Sequence, residues 1–303
     1  MKRVRSFVGY SLLALLVVVS FSRCKKEQSA AILTEQEEQQ IAIASGFGEG
    51  ESQHIYNGTF DNVMGASDQV GMHGTGVFGR TGGASGLDSL PPCATVTYAP
   101  LNAPNVFPLR ITIDFGPGCT CQDGRTRSGK INTIYTGRLI EPNNSATTTF
   151  ESYKIDSISI TGTHTVHNTS SGSNARQFTV SVQNARLSKP NGNYTEWNST
   201  RVLDQVEGLN TPNLPGDDIF NVTGSATGTS KRGSFVNAWE SHIVDPLRKR
   251  FNCHWITKGT VQVSRVGLPV NSPYSALLDY GQGLCDNNAT LTVNGNTYNV
   301  QLP

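Results

Sequence analysis

Two stretches of this 303-residue chain set cysteine, aspartate and glycine in the same order, and they hold the side chains best suited to chemistry. One runs Cys93-Ala-Thr-Val96-Thr97, then Ile113-Asp114-Phe115-Gly116-Pro-Gly118-Cys119, with Gly129 ten residues on. The other runs Cys253-His-Trp-Ile256-Thr257, then Leu278-Asp279-Tyr280-Gly281-Gln-Gly283-Leu284-Cys285, with Gly295 ten residues on. The offset is 165 at the glycines and 166 at the second cysteines, the difference being the extra Leu284. The repeat reads as two related β units, near 93–139 and 253–303, each a hairpin closed near its end. It predicts disulfides Cys93–Cys119 and Cys253–Cys285, each worth about 3–4 kcal/mol by loop closure. Cys121 is then odd. It faces the same way as Cys119, so Cys93–Cys121 is the alternative pairing. A Cys-x-Cys metal centre would need further soft ligands at short spacing, and the sequence supplies none.

Asp114 and Asp279 would suit a glycan hydrolase if they served as acid and base, and Asp217/Asp218 is a further pair. A repeated motif, however, predicts similar rather than divergent environments for its two aspartates. Asp before Phe/Tyr-Gly-x-Gly also caps turn amides, and that structural role is the reading adopted. Gly74-x-Gly76-x-x-Gly79 lacks the strand and helix of a dinucleotide site. His164 and His167 point to opposite faces of a strand, while His54, His73, His242 and His254 have no ligand spacing. Trp197, Trp239, Trp255, Tyr194 and Tyr274 would suit a sugar-stacking groove, with core packing as the simpler role. No catalytic residue, metal or cofactor is assigned, and the chain is read as a non-enzyme.

The elements that must position these residues follow from composition. The chain has 28 Ser, 30 Thr, 24 Asn and 31 Gly, with 16% charged residues. This mixture disfavours helical bundles and favours strands and turns. A formal net charge of +1 gives no basic patch for nucleic acid. Ten segments alternate with period two: 94–98, 109–115, 130–139, 178–182, 219–229, 234–239, 260–266, 276–280, 289–293 and 297–302. Asn-Gly at 191–192 and 294–295 mark hairpin turns. The expected fold is all-β, an antiparallel sandwich or curled multi-stranded sheet with a short N-terminal helix. That helix is expected between Ser29 and Ser45, with Thr34 and Glu37 forming a capping box. Residues 24–50 then form an anchor and tether, 51–92 a Gly-rich loop with short strands at 54–59 and 70–77, and 93–303 the β body.

Residues 1–23 read as a signal peptide: Lys2, Arg3 and Arg5 precede the uncharged run 11–19, too short to span a bilayer. Cleavage before Cys24 removes four of the 24 basic residues and leaves 20 against 23 acidic ones. Phe21-Ser22-Arg23-Cys24 followed by Lys25-Lys26-Glu27 resembles a lipobox, with Phe21 and Arg23 where Leu and a small residue are usual. The spelling from Cys-Lys-Lys-Glu to Asp279-Tyr-Gly-x-Gly-x-Cys-Asp-Asn-x-Ala-Thr-x-Thr-Val-x-Gly295 resembles uncharacterised Bacteroidota outer-membrane or surface lipoproteins. The resemblance implies lipidation at Cys24, an outer-membrane location with the cell surface as its expected face, and the membrane as a partner through the acyl chains. It brings no activity. A binding or structural role toward a glycan or envelope protein is expected, with a periplasmic-facing carrier of an apolar ligand or a glycan hydrolase as alternatives. Oxidising conditions beyond the inner membrane would let the disulfides persist.

Overall fold

The computed structural model describes residues 33–65, 91–121, 123–172, 175–211, 215–269 and 272–303. The expected strand at 70–77 and residues 1–32, Cys24 included, lie outside them.

One long helix comes first. Thr34 caps α1 (Glu35–Met64): its hydroxyl accepts from Glu37 N–H at 3.3 Å, and the Glu37 carboxylate accepts from Thr34 N–H at 2.8 Å. This is the expected capping box, and Gly65 in the left-handed region ends the helix. The segment 51–64, expected as loop with a strand at 54–59, is instead the second half of α1. The reason is tertiary. Gly46, Gly48 and Gly50 are poor helix formers, but they let the helix press against the sheet. A Cβ on Gly46 would meet the Leu291 side chain at 2.5 Å, and one on Gly48 would meet Ser230 Oγ at 2.6 Å. Sixteen of the thirty helix residues are buried, so from Ile41 onward α1 belongs to the core rather than to a tether.

Among the described residues fourteen strands follow: β1 (Thr95–Pro100), β2 (Leu109–Asp114), β3 (Cys119–Thr120), β4 (Thr126–Tyr135), β5 (Ser145–Ile155), β6 (Ile158–Asn168) and β7 (Gln177–Ser188), then β8 (Tyr194–Glu207), β9 (Ile219–Arg232), β10 (Phe235–Arg250), β11 (Lys258–Arg265), β12 (Ala276–Gln282), β13 (Asn288–Val293) and β14 (Asn296–Gln301). They form one antiparallel sheet in chain order, with β3 beside β4. The fold is all-β with an N-terminal helix, as expected, and its strand path is that of one continuous curled sheet. Each of the ten alternating segments coincides with a strand, that at 130–139 running four residues past β4, whereas β3, β5, β6 and β8 lie outside them. The turn at 294–295 has positive φ at both residues; that at 191–192 has it only at Gly192.

Curvature comes from register breaks. At Gly129 the β4–β5 ladder skips a residue, and at Gly259 the β10–β11 ladder does the same. Both glycines have positive φ, and a Cβ would stand 2.4 Å from Ser152 O or 2.5 Å from Pro246 O. Such bulges bend a sheet. The bent sheet contacts α1 along much of its length: Tyr135 of β4 donates to Val63 O at 2.8 Å, Tyr56 donates to Thr161 O of β6 at 2.9 Å, and Gln39 reaches Tyr298 of β14 at 2.5 Å. Phe60 meets Phe178, Phe220 and Phe251 in an aromatic cluster near the helix C-terminus.

Candidate functional site

The two cysteine stretches share a local geometry. Cys93 is bonded to Cys119 and Cys253 to Cys285, with 5.7 Å between the Cα atoms in each pair. Cys121 keeps its thiol, which donates to Cys119 O at 3.6 Å. In the first stretch, Thr95-Val96 of β1 pairs with Asp114-Ile113 of β2; in the second, Thr260-Val261 of β11 pairs with Asp279-Leu278 of β12. The structural offset is therefore 165 on both strands of the hairpin. The spelling matched Val96-Thr97 to Ile256-Thr257, yet those two residues precede β11, so the second stretch carries extra residues between its first cysteine and its first strand. Gly129 and Gly295 also differ, the first lying at a bulge and the second in the β13–β14 turn.

Each repeated aspartate holds its own turn. Asp114 Oδ1 accepts from Gly116 N–H at 2.8 Å, and Asp279 Oδ1 accepts from Gly281 N–H at 2.8 Å. Asp114 also faces Lys130 at 3.7 Å. This is capping chemistry in two equivalent places. Asp217 accepts from Thr211 Oγ1 at 2.7 Å. Its neighbour Asp218 is buried, accepts from Gln205 Nε2 at 2.7 Å, and has its pKa pushed up to about 7, chiefly by burial.

The interior is more polar than the sequence suggested. Glu49 of α1, fully buried, receives Arg201 Nη2 of β8 at 2.5 Å and Trp197 Nε1 at 2.7 Å. Arg201 Nε donates to Gln53 Oε1 at 3.2 Å, and Gln53 donates to Asn57 at 2.9 Å. Lys249, also buried, reaches Asp61 at 2.9 Å. His164 is fully buried against Tyr56, and burial pushes its imidazole down to about 3, so it is neutral. His54 stacks on Trp255 and is held at about 3 by burial first and then by Arg125, His254, Lys249 and Arg127. None of these interior acids and bases was singled out as a site from sequence. The signal available for Glu49 and Arg201 was a charge amid small residues, which does not identify a partner some 150 positions away.

The aromatic set does not line one groove. Trp197 and Trp239 are buried, Trp239 donating to Ser230 Oγ at 3.0 Å, and the Arg186 guanidinium covers the Tyr194 ring at 3.8 Å. Among the described residues no three His, Cys, Asp or Glu side chains converge as a metal cluster.

Among the described residues, hollows on the sheet include two rich in polar side chains. One, of ≈ 450 Å³, spans β7–β9 where the β7–β8 register breaks at Gln183 and Asn184. Rows Ser181–Thr200–Ser225 and Asn198–Thr227 present hydroxyls and amides to it, and Asn198 Oδ1 holds Asn184 N–H at 2.8 Å. The second, of ≈ 550 Å³, spans β12–β14 and is lined by Asp279, Asp286, Asn288, Thr290, Asn299 and Gln301 among others. Dense hydroxyls and amides with few charges suit a neutral, hydrogen-bonding ligand. Set against family models, curated proteins and solved structures, the chain has no match.

Proposed function

We propose that this protein is an envelope lipoprotein, held at the outer membrane by acyl chains on Cys24, whose β body binds a neutral polar polymer such as a glycan on the outer face of its sheet. The hollow across β7–β9 carries the reading: its facing side chains are Ser, Thr, Asn and Gln without a charge among them. The Lys-Arg-rich start, the following apolar run and Cys24 support export and anchoring. Two disulfides fit an oxidising compartment. The carrier reading is disfavoured because α1 packs against strands from β4 to β14, where an apolar ligand would otherwise sit. The hydrolase reading is disfavoured because Asp114 and Asp279 both hold turns.

The test is affinity electrophoresis of the mature chain through gels containing envelope and host polysaccharides. Retardation by at least one neutral glycan is expected, and it should be lost in the Asn198→Ala/Thr200→Val double variant. Unaltered migration in every glycan would overturn the binding assignment. Mass spectrometry of the mature N-terminus checks the anchor separately.

A further inference from the structure

We propose that the end of the sheet bearing the first turns of α1 docks directly on the lipid surface, with Phe235, Val236 and Val266 entering the interface. The proposal rests on the lipid-anchor reading at Cys24 and adds an orientation to it.

The beginning of α1 is fixed to one end of the sheet by three contacts. Glu38 pairs with Arg265, the last residue of β11, at 2.5 Å, and Gln39 reaches Tyr298 of β14. Ser45 Oγ accepts from Asn237, three residues into β10, at 3.0 Å. The β9–β10 turn and the start of the β11–β12 connection lie at this same end, because β9 and β11 both finish there. These two neighbouring tips hold large apolar side chains in the open: Phe235 is 40% exposed, Val236 59% and Val266 53%. They are structurally joined, since Val266 N–H donates to Ala238 O at 3.0 Å.

Charge at this end is mixed. Lys231 pairs across the ladder with Val236, and Arg232 with Phe235, so a cation flanks each apolar residue. Lys189, which begins the β7–β8 turn at this end, and Arg232 both pair with Glu51 of α1, at 2.8 and 3.9 Å. Apolar side chains beside Lys231, with the glutamates of the first turn of α1 at the same end, leave the apolar residues rather than net charge to carry insertion at the boundary between headgroups and acyl chains.

The length of the chain then selects a membrane over another partner. Nine residues, and so ten Cα-to-Cα steps, separate Cys24 from Thr34. Fully extended, they reach at most about 35 Å. An anchor at Cys24 therefore keeps the start of α1, and the tips beside it, within one short leash of the bilayer. The leash also makes docking effectively intramolecular, so a small apolar patch suffices.

The experiment uses the full lipidated chain in vesicles of phosphatidylethanolamine and phosphatidylglycerol whose acyl chains are either brominated or plain. Phe235→Trp places an indole at the tip, and Leu284→Trp places one in the β12–β13 connection at the opposite end, where Leu284 is 75% exposed. The parent protein supplies the background from its own three tryptophans. Expected are a blue shift and loss of fluorescence in brominated vesicles for Phe235→Trp, with neither for Leu284→Trp. Equal emission from both variants in vesicle-bound, lipidated protein would overturn docking while leaving the anchor intact. An unacylated Cys24 by mass spectrometry would overturn both, and the two failures are thereby told apart.

Discussion

Arg201→Met would leave the Glu49 carboxylate in the interior without the guanidinium that faces it. In the parent, Glu49 is fully buried and Arg201 is 2% exposed, with the pair 2.5 Å apart and Trp197 Nε1 on the other carboxylate oxygen. Exposed pairs contribute about 0–1 kcal/mol, but removing one partner of a buried pair costs roughly 3–5 kcal/mol, because a desolvated charge is left behind. The Trp197 hydrogen bond survives and offsets part of that loss, so we expect about 3 kcal/mol, near a hundredfold in the folding equilibrium. Replacing both ends, Glu49→Leu with Arg201→Met, removes the stranded charge and should cost less than the single change. Urea unfolding followed by tryptophan fluorescence gives these differences from midpoint and slope. If Arg201→Met unfolds within about 1 kcal/mol of the parent, the reasoning fails, since that is the range of an exposed pair.

Three further outcomes follow from other parts of the molecule. Gly48→Ala should lose about 1–3 kcal/mol despite the better helix propensity of alanine, because the added carbon meets Ser230 Oγ at 2.6 Å; a stabilised variant in the same urea assay would refute the close-approach argument. Reducing either disulfide should cost about 3.5 kcal/mol, from separations of 26 and 32 residues, and a non-reducing peptide map should link 93 to 119 and 253 to 285; a fragment joining 93 to 121 would contradict the structure. Asp218 binds its proton more tightly when folded, so its contribution to stability is full below about pH 4, declines as pH rises to about 7, and is flat above. Asp218→Asn should therefore match the parent in acid and exceed it at pH 8, and parallel pH profiles of thermal midpoint for the two proteins would count against the buried carboxyl.

Much of the strand pattern was legible because its inward positions are apolar, as in β2, where Leu109, Ile111 and Ile113 are buried and the residues between them are less so. Two strands outside that apolar alternation, β6 and β8, carry polar residues at inward positions. In β8 the buried residues include Thr195, Ser199, Arg201 and Gln205, and in β6 they include His164 and Asn168. Polarity there matches polarity on α1, where Glu49, Ser52, Gln53 and Asn57 are buried. A period-two search assumes an apolar core and misses a core in which both partners are polar. The second half of α1 was hidden for a related reason: its glycines are chosen by contact with Leu291 and Ser230, not by local propensity. The Asp-x-Gly turns and the hairpins around them were legible because their chemistry is local. The β7–β9 hollow was not, since it depends on where the ladder breaks at Gln183–Asn184.

This division between inside and outside constrains where binding can occur. A buried ion pair contributes little net stability against well-packed apolar residues, and its better-attested use is to fix register. Glu49 can meet Arg201, and Gln53 its Nε, only at one rotation and height of α1 within the sheet. The same placement aligns Gly46 with Leu291 and Gly48 with Ser230. The interior is thus committed to holding helix and sheet in one arrangement, with Arg201 bonded to both Glu49 and Gln53 of α1. The hydroxyls of Thr200, Ser225 and Thr227, by contrast, face water and can exchange it for a ligand. Stability and binding should then separate by face: Arg201→Met lowers the unfolding midpoint while leaving glycan retardation intact under native conditions, and Asn198→Ala/Thr200→Val abolishes retardation at a smaller cost in midpoint, that of the lost Asn184 N–H bond. Loss of binding in a still-folded Arg201→Met protein would place the ligand against the helix and overturn the assignment to the outer face.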